Sequence, residues 1–588
     1  MKHFFKTVFA STLGVLIALG IVMMASFFFF IGVAASAGGS SEYKPKDNSV
    51  LKLSLNGEIV EQANENPFAE LMGEENTQLA LPNIIKAIRR AKSNEKIKGI
   101  YLEAGNLSVL YASAEALRRE LEDFKSSGKF IVSYGDNYTQ NAYYICSVAD
   151  SVFLNPLGTV SLVGLASQGL FFTGLAEKLG VEHYIFKVGT YKSAVEPFFL
   201  KKFSDANREQ LTSFLGSIWG NMTSAIEKSR QISSEELNRF LNEGLAYGQA
   251  TKMIEYKLAD ALCYRYEAEN CVKKLAGQDL DEKLVAAGVD KVASILVKEK
   301  ECDDEIAILY AEGEIVESET ASMMSNAAAI TGELANKLRK LQQDDDVKAV
   351  VFRVNSPGGS AYISEQIWKA VVDLKVVKPV VVSMGDYAAS GGYYISCAAN
   401  KIIAERTTLT GSIGVFGVVR NLTGAFEKIG LSTDMVKTNK FADLGDASRP
   451  MREDEKALIQ RSVEQTYDLF LTRCADGRGI TKSAIDSIGQ GRVWTGEQAL
   501  ERGLVDQLGG LDEAIKEAAI LANLTEYSVK EAEESKDFFT KFMEKQMEEM
   551  KVSIVKSVIG EEQFKLYSTI KQAEAQSGIM ARMPYMIH

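Results

Sequence analysis

A chain of 588 residues with 46% hydrophobic and 24% charged residues has an ordinary folded composition and is too long for one core, so it implies two to four domains. Its net charge of −12, with no strongly basic domain, argues against nucleic acid as a partner. Of three histidines only His183 lies within the body, since His3 precedes an apolar run and His588 is the last residue. A histidine triad or histidine-based metal site therefore has one candidate at most, and in Gly-Val-Glu-His183-Tyr-Ile-Phe the plain reading is a strand residue. Six scattered cysteines show no CxxC and no zinc spacing, so no metal and no cofactor is expected.

Residues 1–40 read as a membrane anchor. Val8 to Ala35 is almost uninterrupted apolar, longer than the roughly 20 residues a bilayer needs, and Lys2 and Lys6 precede it. A cleaved signal peptide is the competing reading, with small residues at Ala34-Ala35-Ser36-Ala37, but the apolar stretch exceeds the usual h-region. The expectation is a retained single-pass anchor in a bacterial inner membrane, basic end cytoplasmic and body periplasmic.

The body repeats itself. Ile97-Lys-Gly-Ile-Tyr-Leu102 returns as Val347-Lys-Ala-Val-Val-Phe352, an offset of 250. The same offset pairs Ser133-Tyr-Gly-Asp136 with Ser383-Met-Gly-Asp386, Tyr143-Tyr-Ile145 with Tyr393-Tyr-Ile395, and Glu177-Lys-Leu-Gly180 with Glu427-Lys-Ile-Gly430. One ancestral domain has been duplicated, giving a first repeat over 48–267, a linker over 268–304, a second repeat over 305–524 and a charged helical tail over 525–588. Met583 to Ile587 is apolar enough to dock on a neighbouring surface.

Copy two alternates apolar strands and amphipathic helices: strand Glu305–Tyr310, helix from about Ala329 to Gln342, strand Val347–Val354, helix Ser364–Leu374, strand Val380–Ser383. Met384-Gly385-Asp386 then reads as a turn, with a helix from near Ser390. The expected class is α/β with a largely parallel sheet in each copy.

The chemistry concentrates in copy two. Arg353-Val-Asn-Ser-Pro-Gly-Gly-Ser360 follows a strand and opens a helix, and its adjacent glycines leave backbone N–H groups unshielded for an oxyanion. No phosphate-loop pattern is present, and the matched stretch Glu103 to Leu110 lacks paired glycines. Ser390, at a strand-to-helix handover, matches Gln140 in copy one; Lys192, in Val188-Gly-Thr-Tyr-Lys-Ser-Ala-Val-Glu-Pro197, matches Ala442 in copy two. Each half lacks what the other keeps. A serine without histidine needs another base, and burial depresses a lysine by several units, each worth about 1.4 kcal/mol. The bland alternatives are a small-residue packing surface at Ser390 and a surface ion pair between Lys192 and Glu196.

With these motifs, together with Leu409-Thr-Gly-Ser-Ile-Gly-Val415, the chain resembles the signal peptide peptidase A family in its long, membrane-anchored, tandem-repeat form, among the serine-lysine proteases of Clp/crotonase-like fold. The resemblance implies Ser390 as nucleophile, Lys192 as general base, an oxyanion-hole amide at Gly359, and Ser412 orienting the lysine. The amide after Ser390, Gly391, is the second oxyanion donor. It further implies cleaved signal peptides and other unfolded hydrophobic peptides as substrates, and a homotetramer. A crotonase-type acyl-CoA enzyme and a non-catalytic membrane scaffold are the rivals; the first would need acidic catalytic residues, the second loss of the serine or lysine.

Overall fold

The computed structural model describes residues 43–63, 78–296, 302–318, 329–532 and 578–583, with scattered positions before residue 25. The expected anchor and helical tail fall almost wholly outside these residues. Among the described residues no helix is long and apolar enough to cross a membrane.

The apolar runs of copy one form β1 (Ser49–Val60), β2 (Ile97–Ser108), β3 (Phe130–Gly135) and β4 (Ser151–Leu154), parallel neighbours in that order. Between them run α1 (Leu81–Ser93), α2 (Tyr111–Lys125) and α3 (Gln140–Cys146). On α1 the buried residues Leu81, Ile84, Ala87, Ile88 and Ala91 recur at helical spacing, which turns one face onto the sheet. Next come β5 (Glu182–Val188) and the long α4 (Asp205–Arg230).

Copy two repeats the plan with β6 (Glu305–Glu312), β7 (Val347–Ser356), the short β8 (Gly358–Ser360), α5 (Ala361–Val377), β9 (Val380–Ala389), α6 (Gly391–Ser396), β10 (Leu409–Gly411), β11 (Val415–Asn421) and α7 (Glu453–Arg478). Strands β6, β7, β9 and β10 are parallel. β2 and β7, α2 and α5, and β3 and β9 begin 250 residues apart, while α4 and α7, each 26 residues, are offset by 248. All ten residues of β9 are buried, as expected of a strand covered on both faces, and this explains its near-continuous apolar sequence.

Three expectations need correction. Met384-Gly385-Asp386 is no turn: β9 runs through it to Ala389 and absorbs it as a bulge, since Val354 pairs with Met384 but Ser356 with Ala388. The helix expected from Ala329 begins at Glu333, because Ala329–Ile330 pairs with Glu314–Ile315. The stretch from 268, read as a linker, carries structure of copy one: the helix Arg265–Ala276 continues into it, Ala286–Ala287 pairs with β1, and Val292 and Ala293 are buried in the first core.

A third, mostly antiparallel sheet joins the copies. Its order is Ala329–Ile330, Glu314–Ile315, β8, β12 (Gly578–Arg582), β11 and β5. β5 of copy one lies against β11 of copy two over seven residues, from Val188 opposite Val415 to Glu182 opposite Asn421. That pairing carries the copy-one chain into copy two just ahead of Lys192.

Candidate active site

β9 delivers Ser390 to its handover in a strained conformation. The residue has φ 55° and ψ −112°, a region non-glycine residues rarely enter. It is held there by its own N–H, which donates to the Gly411 carbonyl (2.8 Å), and by its carbonyl, which accepts from the Tyr394 N–H (2.8 Å). A sharp strand-to-helix elbow of this kind lifts a side chain clear of the sheet.

Lys192 arrives from the other copy. Beyond β5 the chain turns so that the Tyr191 N–H donates to the Gln490 carbonyl (2.8 Å). Gly491 then backs onto the lysine: a Cβ there would stand 2.6 Å from both the Cβ and the backbone nitrogen of Lys192. Gly414 shapes the far end of the slot, where a Cβ would lie 3.2 Å from the lysine Cδ. The side chain is wholly buried, and its Nζ lies 2.7 Å from Ser390 Oγ, 3.1 Å from Ser412 Oγ and 3.1 Å from the Ser412 carbonyl.

No carboxylate joins these neighbours among the described residues, so burial holds the lysine pKa well below its ordinary value. The surface ion pair with Glu196 does not form. That carboxylate instead accepts from the Ser204 hydroxyl (2.5 Å) and the Asn207 amide (2.8 Å). Ser412, at φ 51°, is fixed by its N–H on the Arg492 carbonyl (2.7 Å).

The paired glycines sit beside this elbow. Gly358 and Gly359 have φ of 97° and 155°, and a Cβ on Gly359 would overlap the Ile315 carbonyl. A Cβ on Gly358 would stand 2.6 Å from the Gly391 nitrogen, so the glycine pair lies directly against the elbow. Ser360 caps α5 by accepting from the Ile363 N–H (3.4 Å).

The structure thus brings Ser390, Lys192 and Ser412 into one contact set and Gly359 and Gly391 to its edge. His183 stays apart from that set, on β5 opposite Arg420 and against Phe198. Sequence reasoning missed Gly491 and Gln210. Gln210 of α4 donates to the Tyr191 carbonyl (3.0 Å) and Ser193 Oγ (2.9 Å) and accepts from the Val493 N–H (3.2 Å), clamping the lysine loop to copy two. Gln210 falls among the buried positions of α4 with Asn207, Leu211, Phe214 and Thr223, so polarity alone did not single it out, and Gly491 carried no signal.

The model of peptidase family S49 matches residues 123–279 and 373–525. Protease 4 of Salmonella typhi is 36% identical over 513 residues, spanning 84% of this chain and 82% of that one. The chloroplastic serine protease SPPA of Arabidopsis thaliana is 34% identical over 486 residues, 82% of this chain and 70% of that one. A putative signal peptide peptidase SppA of Enterococcus faecium is 33% identical over 243 residues, 41% of this chain and 71% of that one. The chain belongs to peptidase family S49, a serine peptidase that carries its domain in tandem.

Proposed function

We propose that the protein is a membrane-anchored endopeptidase in which Ser390 is the nucleophile and Lys192 the general base. The observation that carries this reading is the 2.7 Å approach of a fully buried lysine Nζ to the serine Oγ. Lys192, neutral because charging it underground is costly, takes the Ser390 proton as Oγ attacks the substrate carbonyl carbon. The oxyanion is met by the Gly359 and Gly391 amides. The lysine ammonium, steadied by the Ser412 hydroxyl and carbonyl, returns its proton to the departing amine. Water, deprotonated by the same lysine, then hydrolyses the ester.

Signal peptides as substrates are suggested by the name of the Enterococcus faecium relative. The apolar run Val8 to Ala35 behind Lys2 and Lys6 supports a bilayer anchor with the body on the periplasmic face of a bacterial inner membrane. A ring of copies has a structural rationale. β5 of copy one pairs with β11 of copy two, yet their counterparts at the offset of 250, residues 432–438 and 165–171, have no strand partner among the described residues. A second chain repeating the pairing head to tail would use them, and a tetramer would close it.

Fluorophosphonate labelling tests the reading. One label per chain is expected on Ser390, lost in Ser390→Ala; equal labelling of that variant would remove Ser390 from the mechanism.

A further inference from the structure

The strand that ends at Ser390 carries an irregularity that backbone pairing does not satisfy. From Val354–Met384 to Ser356–Ala388, β7 advances two residues while β9 advances four. The extra residues are buried, and buried peptide groups need partners. Side chains supply them. Arg353 Nη1 donates to the Met384 carbonyl and to Ser383 Oγ (both 2.9 Å), and Thr408 Oγ1 to the Gly385 carbonyl (2.8 Å). Asn355 Oδ1 accepts from the Tyr387 N–H (3.0 Å).

Two further braces come from copy one. Glu61, the residue after β1, accepts at Oε1 from Arg353 Nε (3.1 Å) and Nη2 (2.5 Å), and both side chains are buried. The same oxygen lies 3.0 Å from where a Gly385 Cβ would stand. Ser113 of α2 holds the next residue, Asp386, through its hydroxyl (2.5 Å) and its N–H (3.0 Å). Glu61 is therefore the counter-charge that lets a guanidinium stay under the bulge, since a buried cation without a partner is strongly destabilising. Copy one builds a different arrangement at the matched place. Glu103 stands where Arg353 does, the exposed Arg265 reaches both Glu103 and Asp136, and β3 stops at Gly135. The inter-copy brace accompanies the strand that must run on to a residue at φ 55°, and such a conformation persists only where its surroundings over-determine it.

We propose that Glu61, acting through Arg353, and Ser113, acting through Asp386, are positioning residues for Ser390. The inference rests on the nucleophile role given above to Ser390. Copy one then does more than supply the base: it holds the strand that aims the serine.

Steady-state kinetics on a reporter peptide and the rate of fluorophosphonate labelling test this in the full-length chain. Glu61→Gln keeps the shape and an acceptor oxygen but drops the charge. It should lower kcat by about 10²-fold with KM within about twofold, and slow labelling by the same factor. The pH at which activity rises should not move, because Lys192 keeps its neighbours; a shift there would place the effect on the lysine and overturn the proposal. Ser113→Ala leaves no cation unpaired and should lower kcat by about tenfold, and the double variant should lose less than the product of the two, since both grip one bulge. A Glu61→Gln chain that is folded, melts lower and keeps wild-type kcat overturns the proposal by making the ion pair structural only. Should Glu61→Gln not fold, wild-type kcat in Ser113→Ala overturns it equally. A wild type that neither labels nor hydrolyses the peptide overturns the proposed function itself, and this inference with it.

Discussion

The two repeats share strands and helices at a constant offset, and they differ where it matters chemically. At position 140 the strand has already stopped, and the Gln140 side chain accepts from the Val163 (3.1 Å) and Gly164 (2.9 Å) amides, serving as a loop clamp. At position 390 the strand has run on, bulged, and set a serine at an elbow. Lys192 is buried and Ala442 exposed. A duplicated fold can thus be kept while each copy supplies only one of two side chains that meet, Ser390 and Lys192, with one sheet stitching the copies together.

The aspartates of the repeated Ser-x-Gly-Asp show the same divergence in charge. Asp136 is exposed, and hydrogen bonds from Tyr134 (2.6 Å) and Arg265 (2.8 Å) hold its pKa below the ordinary carboxylate value. Asp386 is buried between the copies, accepting from the Ser113 hydroxyl (2.5 Å) and N–H (3.0 Å) of α2, and burial pushes it up to about 6.

The comparison breaks most severely if one repeat can work alone. Ser390→Ala and Lys192→Ala should each lower kcat by about 10³-fold or more on a reporter peptide, with folding intact by circular dichroism. Gln140→Ser should add no second fluorophosphonate label, since no lysine waits there; two labels per chain would show copy one to be an independent site.

Gly491→Ala sharpens the point that copy two holds copy one's lysine. The added methyl meets the lysine backbone, and a shift near 1 Å should cost about 10²-fold in kcat with little change in KM. Unchanged kcat would mean the slot does not position Lys192.

The pH dependence follows from burial. Activity should rise with pH through the depressed lysine pKa, because only the neutral amine accepts the serine proton. The folded lysine pKa lies below the unfolded one, so over that window the unfolded chain binds more protons and stability rises with pH. Lys192→Met should abolish activity and raise Tm, and a gain of 1 kcal/mol would move it by about 2–4 °C. A lower Tm would show that the lysine's contacts outweigh its desolvation.

The smallest effects separate the two aspartates. A raised folded pKa means Asp386 contributes against stability as pH climbs from about 4 to about 6, so Asp386→Asn should flatten a fall in Tm there. Asp136, with a depressed folded pKa, stabilises above the ordinary aspartate pKa, and Asp136→Asn should remove a loss seen only in more acidic solution. Equal pH profiles for the two variants would erase the distinction.

The sequence by itself determined the duplication, the strand and helix alternation, and the complementary survival of Ser390 and Lys192, because side-chain periodicity and repeat register are written locally. It also marked the paired glycines that include Gly359, whereas Ser412 was named only through the family resemblance. Tertiary structure alone decided what depends on distant partners. β9 continues through Met384-Gly385-Asp386 because β7 and β10 supply its hydrogen bonds, outweighing the local turn tendency of that glycine. Residues beyond 268 join the first core because β1 offers an edge to Ala286–Ala287. Gly491 matters only once the lysine loop some 300 residues away is laid against it, and Gln210, 19 residues from Tyr191, joins that loop to copy two only because the Val493 N–H also reaches it. Backbone hydrogen bonding in a sheet is satisfied by whichever strand arrives, and arrival is a property of the fold.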